Sequence, residues 1–201
     1  MNYIKRNLEN VVTQVTKEYP VVLVTGPRQV GKTTMLQKLM EGTDRGYVTL
    51  DDLNERSIAK TDPELFLQLH KPPILIDEVQ YAPELVSYIK ISVDNGAAPG
   101  SYWLTGSQAY RLMELAQESL AGRTAILHMS ALSQSELCGA MEVSPFSLEL
   151  DELQKRKALL SPATPNEIYQ RIWDGALPGH RSGKYKDRDV FYSSYIQTYM
   201  M

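Results

Sequence analysis

Short apolar runs alternate along the chain with longer stretches in which apolar residues recur every three or four positions. The runs predict five strands, at residues 21–25, 47–50, 74–78, 102–105 and 124–129. The stretches between them predict helices, as after the first run, where Met35, Leu36, Leu39 and Met40 have helical spacing. Strands that alternate with helices predict an α/β fold with a doubly wound parallel sheet of five strands.

Proline, glycine and acidic residues mark where several of these helices begin and end. Asp62 and Pro63 predict a helix start after the second strand, and Pro83 predicts another after the third. Asn95 and Gly96 are expected to stop that second helix. A further helix is predicted over residues 112–120, before the fifth strand.

A glycine-rich segment lies between the first predicted strand and the helix that follows it. A loop that turns into a helix start offers several free backbone N–H groups, and the helix dipole favours an anion there. The segment fits the phosphate-binding pattern G-x-x-x-x-G-K-[ST], and all nine of its residues are therefore predicted to bind a nucleoside triphosphate. They are Gly26, Pro27, Arg28, Gln29, Val30, Gly31, Lys32, Thr33 and Thr34.

Four side chains of this segment have more specific expected roles. Lys32 is expected to reach the β- and γ-phosphates and to assist catalysis, while Thr33 offers its hydroxyl to Mg²⁺. Thr34 can donate to an outer phosphate oxygen, and Arg28 can touch either phosphate or a partner. The alternative is an ordinary glycine turn before a surface helix.

Two carboxylates follow the third apolar run. A run that is apolar at consecutive positions predicts a strand buried on both faces, and the ligands of such sheets bind beyond the carboxyl ends of the strands. Asp77 is therefore expected to hold Mg²⁺, through water, and Glu78 to polarise the attacking water as the catalytic carboxylate. The alternative is a pair of solvated carboxylates in a turn.

Composition narrows the class of protein further. The 201 residues are 43% hydrophobic and 22% charged, which suits one globular domain plus a remainder. A net charge of -3 provides no global positive field for nucleic acid or anionic membranes, although a local basic surface stays possible. The single Cys138 excludes an internal disulfide, and neither a signal peptide nor a membrane span is recognisable. We therefore expect a reduced, cytoplasmic protein without a membrane partner.

These motifs together resemble the AAA+ superfamily, and within it the bacterial and archaeal AAA-domain ATPases whose phosphate loop commonly reads GPRQVGKT. The resemblance covers about the first 160 residues and implies the strand order 5-1-4-3-2. It is carried by four segments in order: residues 26–34, 74–83 (ILIDEVQYAP), 104–108 (LTGSQ) and 119–132 (SLAGRTAILHMSAL).

The resemblance also implies roles for residues outside the two motifs. Ser107 and Gln108 occupy the place of the sensor that contacts the γ-phosphate and water, unless they only satisfy their own turn. Arg123 falls where relatives present an arginine finger to the nucleotide of a neighbouring subunit; the alternative is a surface salt bridge. The segment expected beside the adenine contains Tyr3, Ile4 and Arg6.

The function implied is Mg²⁺-dependent ATP binding and hydrolysis that drives a conformational switch on an unidentified partner. The alternative is a nucleotide-gated binding module with little or no turnover. ATP and Mg²⁺ are the expected cofactors, a homo-oligomer is possible, and a protein partner and nucleic acid both stay open. The chain has no Asn-Lys-x-Asp run, so the guanine-recognition signature of GTPases is absent.

Beyond the expected ATPase domain of residues 1–160, residues 161–201 predict a helical linker and the beginning of a further domain. Ser133 and Glu136 predict a capping box before this boundary. The basic residues between 180 and 188 are expected to form a solvated loop. Because the resembling family continues into a further C-terminal domain, we expect a truncated member; the alternative is that an apolar stripe packs on the core or on another copy. That stripe comprises Phe191, Tyr192, Tyr195, Ile196, Tyr199 and Met200.

Overall fold

The computed structural model describes residues 3–107, 120–139, 147–159 and 162–199, with the backbone alone at residue 159. The chain forms two compact units. The larger unit is Leu8–Ser130, and the smaller unit combines Met1–Asn7 with Ala131–Met201. The predicted boundary near residue 160 stays a prediction, as does the predicted helix over residues 112–120, most of which lies outside the described residues.

Five parallel strands form the sheet of the larger unit, in the order β2-β3-β4-β1-β5. This is the predicted order, written from the other edge, and the predicted α/β class is confirmed. The strands are β1 Val21–Thr25, β2 Gly46–Thr49, β3 Ile74–Asp77, β4 Tyr102–Gly106 and β5 Thr124–His128.

The register of the sheet aligns the C-terminal ends of its central strands, and this end of the sheet is called its carboxyl edge below. Val21 of β1 is level with both Tyr102 of β4 and Thr124 of β5, and Ile74 of β3 is also level with Tyr102. Every residue of β1, β3 and β4 is buried, as expected for apolar strands covered on both faces. The residues that follow these three strands therefore meet at the carboxyl edge.

Helices of the larger unit supply the rest of its core. Side chains such as Phe66, Ile76 and Leu104 are at most 1% exposed. Full burial of a side chain of this size contributes about 1.5–3 kcal/mol. The helices are α1 Leu8–Val15, α2 Lys32–Met40, α3 Leu53–Thr61, α4 Pro63–Leu69 and α5 Glu84–Asp94, and a 3₁₀ turn spans Val79–Tyr81.

The smaller unit is helical in its described part. The predicted capping box is present, because Ser133 accepts from the backbone of Glu136 and Glu136 accepts from the backbone of Ser133. Phe191, in the predicted apolar stripe, is buried and stacks on Tyr185, whereas Met200 lies outside the described residues. The helices are α6 Gln134–Leu137, α7 Leu150–Leu159, α8 Pro165–Asp174, α9 Pro178–Arg181 and α10 Arg188–Tyr199.

Several details of the larger unit differ from the sequence prediction. Strand β3 ends at Asp77 because Glu78 adopts a left-handed conformation with φ 55° and ψ 43°. Helices α1 and α3 were not predicted, although Asp52 caps the start of α3 by accepting from Asn54 and Glu55. None of the described helices is long and apolar enough to cross a membrane.

Candidate functional site

Two glycines shape the loop that joins β1 to α2. Gly26 has a φ of 141°, and a Cβ atom at this position would lie 2.1 Å from the carbonyl oxygen of Met129. Gly31, with a φ of 93°, is left-handed and immediately precedes α2. Both positions favour glycine, the first also because the loop passes directly against the end of β5. The loop is thereby fixed at the carboxyl edge of the sheet.

The ammonium group of Lys32 is held inside this loop. Its Nζ donates to the carbonyl oxygens of Gly26 and Pro27 at 2.9 Å and 2.8 Å. Burial lowers the pKa of Lys32 below its ordinary value, while the nearby carboxylates of Glu78 and Asp77 act to raise it. A cation therefore lies beside the two carboxylates at the predicted phosphate position.

The buried Asp77 carboxylate accepts hydrogen bonds from hydroxyl groups on neighbouring elements. Thr33 Oγ1 donates to Asp77 Oδ1 at 2.8 Å, and Thr105 Oγ1 donates to the same oxygen. Tyr47 Oη donates to Asp77 Oδ2 at 3.5 Å. Thr33 and Asp77, the two residues predicted to hold Mg²⁺, are thus in direct contact, and their hard oxygen atoms are the donors that this ion prefers. These residues fit the ion.

The Glu78 side chain is positioned by an uncommon backbone conformation. Left-handed φ and ψ values are sparsely populated by residues other than glycine and often occur at functional sites. Gln80 Nε2 donates to Glu78 Oε2, and Ser107 Oγ donates to the same oxygen at 3.5 Å. The predicted catalytic carboxylate and the predicted sensor residue Ser107 therefore lie side by side.

A cleft of about 450 Å³ opens above these groups. Val30 does not line it, being 1% exposed, and Gly26 and Pro27 face Lys32 through their carbonyl oxygens. The lining residues are Arg28, Gln29, Gly31, Lys32, Thr33, Thr34, Asp51, Glu78, Tyr81 and Ser107.

Several residues of the site were not predicted from the sequence. Asp51 and Tyr81 line the cleft, and the guanidinium carbon of Arg56 lies 3.9 Å from the centre of the Tyr81 ring. Thr105 contacts the Asp77 carboxylate and Gln80 contacts the Glu78 carboxylate, and neither residue lines the cleft. The position of Thr105 at the end of a predicted strand next to β3 was a usable signal, whereas the contact of Gln80 depends on the turn at Glu78.

Arg123 lies at the opposite edge of the sheet. It immediately precedes β5, whose first residue is level with Val21 at the start of β1. A five-residue strand spans about 16 Å, so Arg123 does not reach the cleft of its own chain. Its Nε contacts Asp94 Oδ1 at 2.6 Å, which is the surface ion pair weighed as the alternative. Action on a neighbouring chain stays a prediction.

The roles of Gln108 and of the N-terminal segment stay predictions. Gln108 lies outside the described residues. Arg6 belongs to the smaller unit, where its Nε contacts Glu136 Oε1 at 3.0 Å. The proximity of the N-terminal segment to adenine stays a prediction.

A five-stranded parallel sheet in this order, with a glycine loop at the end of β1, is the fold of the AAA+ P-loop ATPases. The chain belongs to the AAA domain family, whose model matches residues 18–138.

The protein is also similar in sequence to two mycobacterial proteins named as uncharacterized. One is from Mycobacterium bovis and the other from Mycobacterium tuberculosis, and each is 38% identical over 115 residues. The match covers 57% of this chain and 26% of each relative, so the chain matches about a quarter of the length of these proteins.

Two solved structures share the fold. The Walker-type ATPase PABY2304 of Pyrococcus abyssi has a TM-score of 0.54 at 15% identity, and the match covers 89% of this chain and 67% of the PABY2304 chain. AMPPCP-bound DnaA from Aquifex aeolicus has a TM-score of 0.53 at 13% identity, covering 92% of this chain and 60% of its own. At these identities the likeness concerns the fold alone.

Proposed function

We propose that this chain binds ATP together with Mg²⁺ and hydrolyses the bond between the β- and γ-phosphates. The observation that carries the proposal is the contact of Thr33 with Asp77 beside Lys32 and Glu78. Four groups of the required kinds, two oxygen ligands, a cation and a general base, converge at the carboxyl edge of the sheet.

Binding would begin with an exchange of partners at Lys32. Its ammonium group leaves the carbonyl oxygens of Gly26 and Pro27 and donates to phosphate oxygens. A hydrogen bond between two charged groups is stronger than one to a neutral carbonyl, so the exchange favours the bound state. The backbone N–H groups at the start of α2 hold the phosphates from the other side.

Thr33 and Asp77 would hold Mg²⁺ at the phosphates, Asp77 through water. When bound, the ion supplies positive charge that offsets the charge of the phosphate oxygens. The Thr33 hydroxyl could offer an oxygen lone pair to the ion while its O–H still donates to Asp77 Oδ1. Thr105 continues to donate to that oxygen and keeps the Asp77 carboxylate in place.

Turnover would depend on Glu78. Its carboxylate accepts a proton from the attacking water, the water oxygen forms a bond to the γ-phosphorus, and the bond from that phosphorus to the β–γ bridging oxygen breaks, so that ADP leaves. Ser107, 3.5 Å from the carboxylate, lies where it can contact the same water or the γ-phosphate. The ATP cycle would then drive a conformational switch on a partner, either a protein or a nucleic acid.

A second candidate function is a nucleotide-gated binding module with little or no turnover. Arg123 favours it, because this residue pairs with Asp94 at the far edge of the sheet and cannot complete the site of its own chain. A single chain would then bind ATP and hydrolyse it slowly. The difference between the candidates lies in turnover, not in binding.

The Glu78→Gln variant tests the proposal. It keeps the size of the side chain but removes the base, so we expect ATP to bind with an unchanged Kd and kcat to fall about 100-fold or more. Binding is measured by titration with ATP and Mg²⁺, and turnover by phosphate release. Glu84→Gln, an exposed change in the first turn of α5, is the matched control.

Normal turnover by Glu78→Gln would show that another group is the base. Tight ATP binding without turnover by the unaltered chain would instead support the gated binding module.

A further inference from the structure

Gln80 contacts the Glu78 carboxylate but has no role in the hydrolysis step proposed above. Its side chain is buried, with 2% of the residue exposed, and it lies in the 3₁₀ turn that follows Glu78. Its Nε2 donates to Glu78 Oε2. The contact joins a fully buried amide to the carboxylate proposed as the general base.

The chemistry of the two groups fixes the orientation of this amide. An ionised carboxylate only accepts hydrogen bonds, so the NH₂ end of Gln80, not its oxygen, must face Glu78. Gln80 Oε1 is then left buried without a hydrogen-bond partner among the described residues. A buried, unpaired amide oxygen lowers stability, so an apolar residue of this size would suit folding better. The amide therefore has a use other than packing.

The contacts of Glu78 differ between its two carboxylate oxygens. Gln80 and Ser107 both donate to Oε2. The backbone assists, because the left-handed conformation of Glu78 begins the turn in which Tyr81 N donates to Glu78 O at 3.1 Å. The short spacing of Glu78 and Gln80 on this turn brings their side chains together.

We infer that Gln80 is a positioning residue for hydrolysis, whose amide holds Glu78 Oε2 so that Oε1 takes the proton of the attacking water. This inference rests on the proposed ATPase activity. In the step, the water oxygen bonds to the γ-phosphorus, the bond from that phosphorus to the β–γ bridging oxygen breaks, and the proton passes to Oε1. Gln80 touches neither the water nor the nucleotide.

Two substitutions remove the contact in different ways. Gln80→Met keeps the length of the side chain and loses the N–H donor, whereas Gln80→Asn keeps the amide but is one methylene too short. Both are expected to lower kcat about tenfold, a part of the 10²–10⁴-fold that a general base contributes, with KM and the Kd for ATP unchanged within about twofold. Gln68→Met, at an exposed position of α4, is the matched control.

A double variant distinguishes positioning from a general structural role. If Gln80 acts only through Glu78, then adding Gln80→Met to Glu78→Gln should lower the residual rate no further. A further tenfold loss in the double variant would overturn the inference. Thermal unfolding of each variant shows whether it is folded.

Other outcomes separate this inference from the proposed function. Turnover that is lost in Glu78→Gln but unchanged in both Gln80 variants would overturn the inference alone, and so would a rise in KM at constant kcat. Failure of both variants to fold would make Gln80 a structural residue and also overturn it. Absence of turnover in the unaltered chain would overturn both proposals.

Discussion

At the scale of single residues, the Asp77 carboxylate links three elements of the larger unit. Thr33 at the start of α2 and Thr105 in β4 share its Oδ1, and Tyr47 in β2 lies 3.5 Å from its Oδ2. A buried carboxylate is costly unless it is hydrogen-bonded, and these hydroxyls supply the bonds. The same hydrogen bonds hold Asp77 at the position where it would bind Mg²⁺ through water. They would therefore contribute both to stability and to the proposed function.

A second buried carboxylate, in the smaller unit, gives a prediction about stability. Glu136 Oε1 lies 3.0 Å from Arg6 Nε, and both side chains are at most 6% exposed. Burial by itself would raise the pKa of Glu136, but backbone N–H groups of Ser133 and Asn7, together with Arg6, lower the pKa below its ordinary value. The ionised form is therefore the one that the fold stabilises.

We expect Glu136→Gln to lower the free energy of unfolding by about 3 kcal/mol at pH 7. Because the folded pKa is depressed, the contribution of Glu136 is fully present above the unfolded pKa of about 4.3 and is lost as the pH falls through the folded value. The difference between variant and wild type should therefore shrink in acid. Denaturant unfolding at several pH values measures it.

Glu149→Gln, at an exposed position, is the control for this experiment. An equal loss of stability in both variants, or a difference for Glu136→Gln that is independent of pH, would contradict the assignment.

At the scale of elements, the loop that joins β1 to α2 also contacts the end of β5. Met129 N donates to Thr25 O at 2.8 Å, and the carbonyl oxygen of Met129 faces Gly26. The start of the loop is therefore held by the backbone that follows β5 as well as by its own connections to β1 and α2. Its shape is set by the sheet, which prepares its N–H groups for an anion before any ligand arrives.

Gly26→Ala should therefore cost more than an ordinary replacement of glycine. The new Cβ would lie 2.1 Å from the Met129 carbonyl oxygen, so the loop or β5 must shift. We expect a loss of about 2 kcal/mol in the free energy of unfolding and weaker ATP binding. Gly42→Ala is the matched control, because Gly42 also has a positive φ, 77°, but no atom within 4 Å of the added Cβ.

Denaturant unfolding and ATP titration of the two variants measure the effect. Equal stability and equal affinity in both would show that the contact with β5 does not constrain the loop.

The elements also show how far the sequence determines this fold. All five strands were predicted, because their apolar runs are short and bounded by proline, glycine or charged residues. Helix α3 was missed since Ala59 is its only buried residue and its sequence carries no apolar stripe. Its signal was the capping residue Asp52, followed at the third helical position by Glu55.

The candidate site was predictable where a motif fixes both residue type and position. Six of the nine predicted loop residues and Glu78 line the cleft, and Asp77 contacts Thr33 beside it. Thr105 could be found only through the predicted strand order, which places β4 beside β3, and the contact of Gln80 depends on a left-handed turn at a residue that is not glycine. Neither the strand order nor this turn follows from the spacing of residues alone.

At the scale of the whole molecule, the sheet separates the cleft from Arg123. The cleft opens at the carboxyl edge and Arg123 precedes β5 at the amino edge, paired with Asp94. An arginine at that edge can serve only the cleft of another chain. If Arg123 has the proposed role, association of chains completes the site, and activity per chain depends on protein concentration.

The most direct test of the central proposal is ATP hydrolysis with Mg²⁺ over a series of protein concentrations, with Lys32→Ala as the inactive variant. Lys38→Ala removes an exposed lysine of the same helix and is its control. We predict hydrolysis by the unaltered chain and by Lys38→Ala, none by Lys32→Ala, and a rate per chain that rises with concentration. ATP hydrolysis that is undetectable at every concentration, or equal in Lys32→Ala and the unaltered chain, would contradict the account.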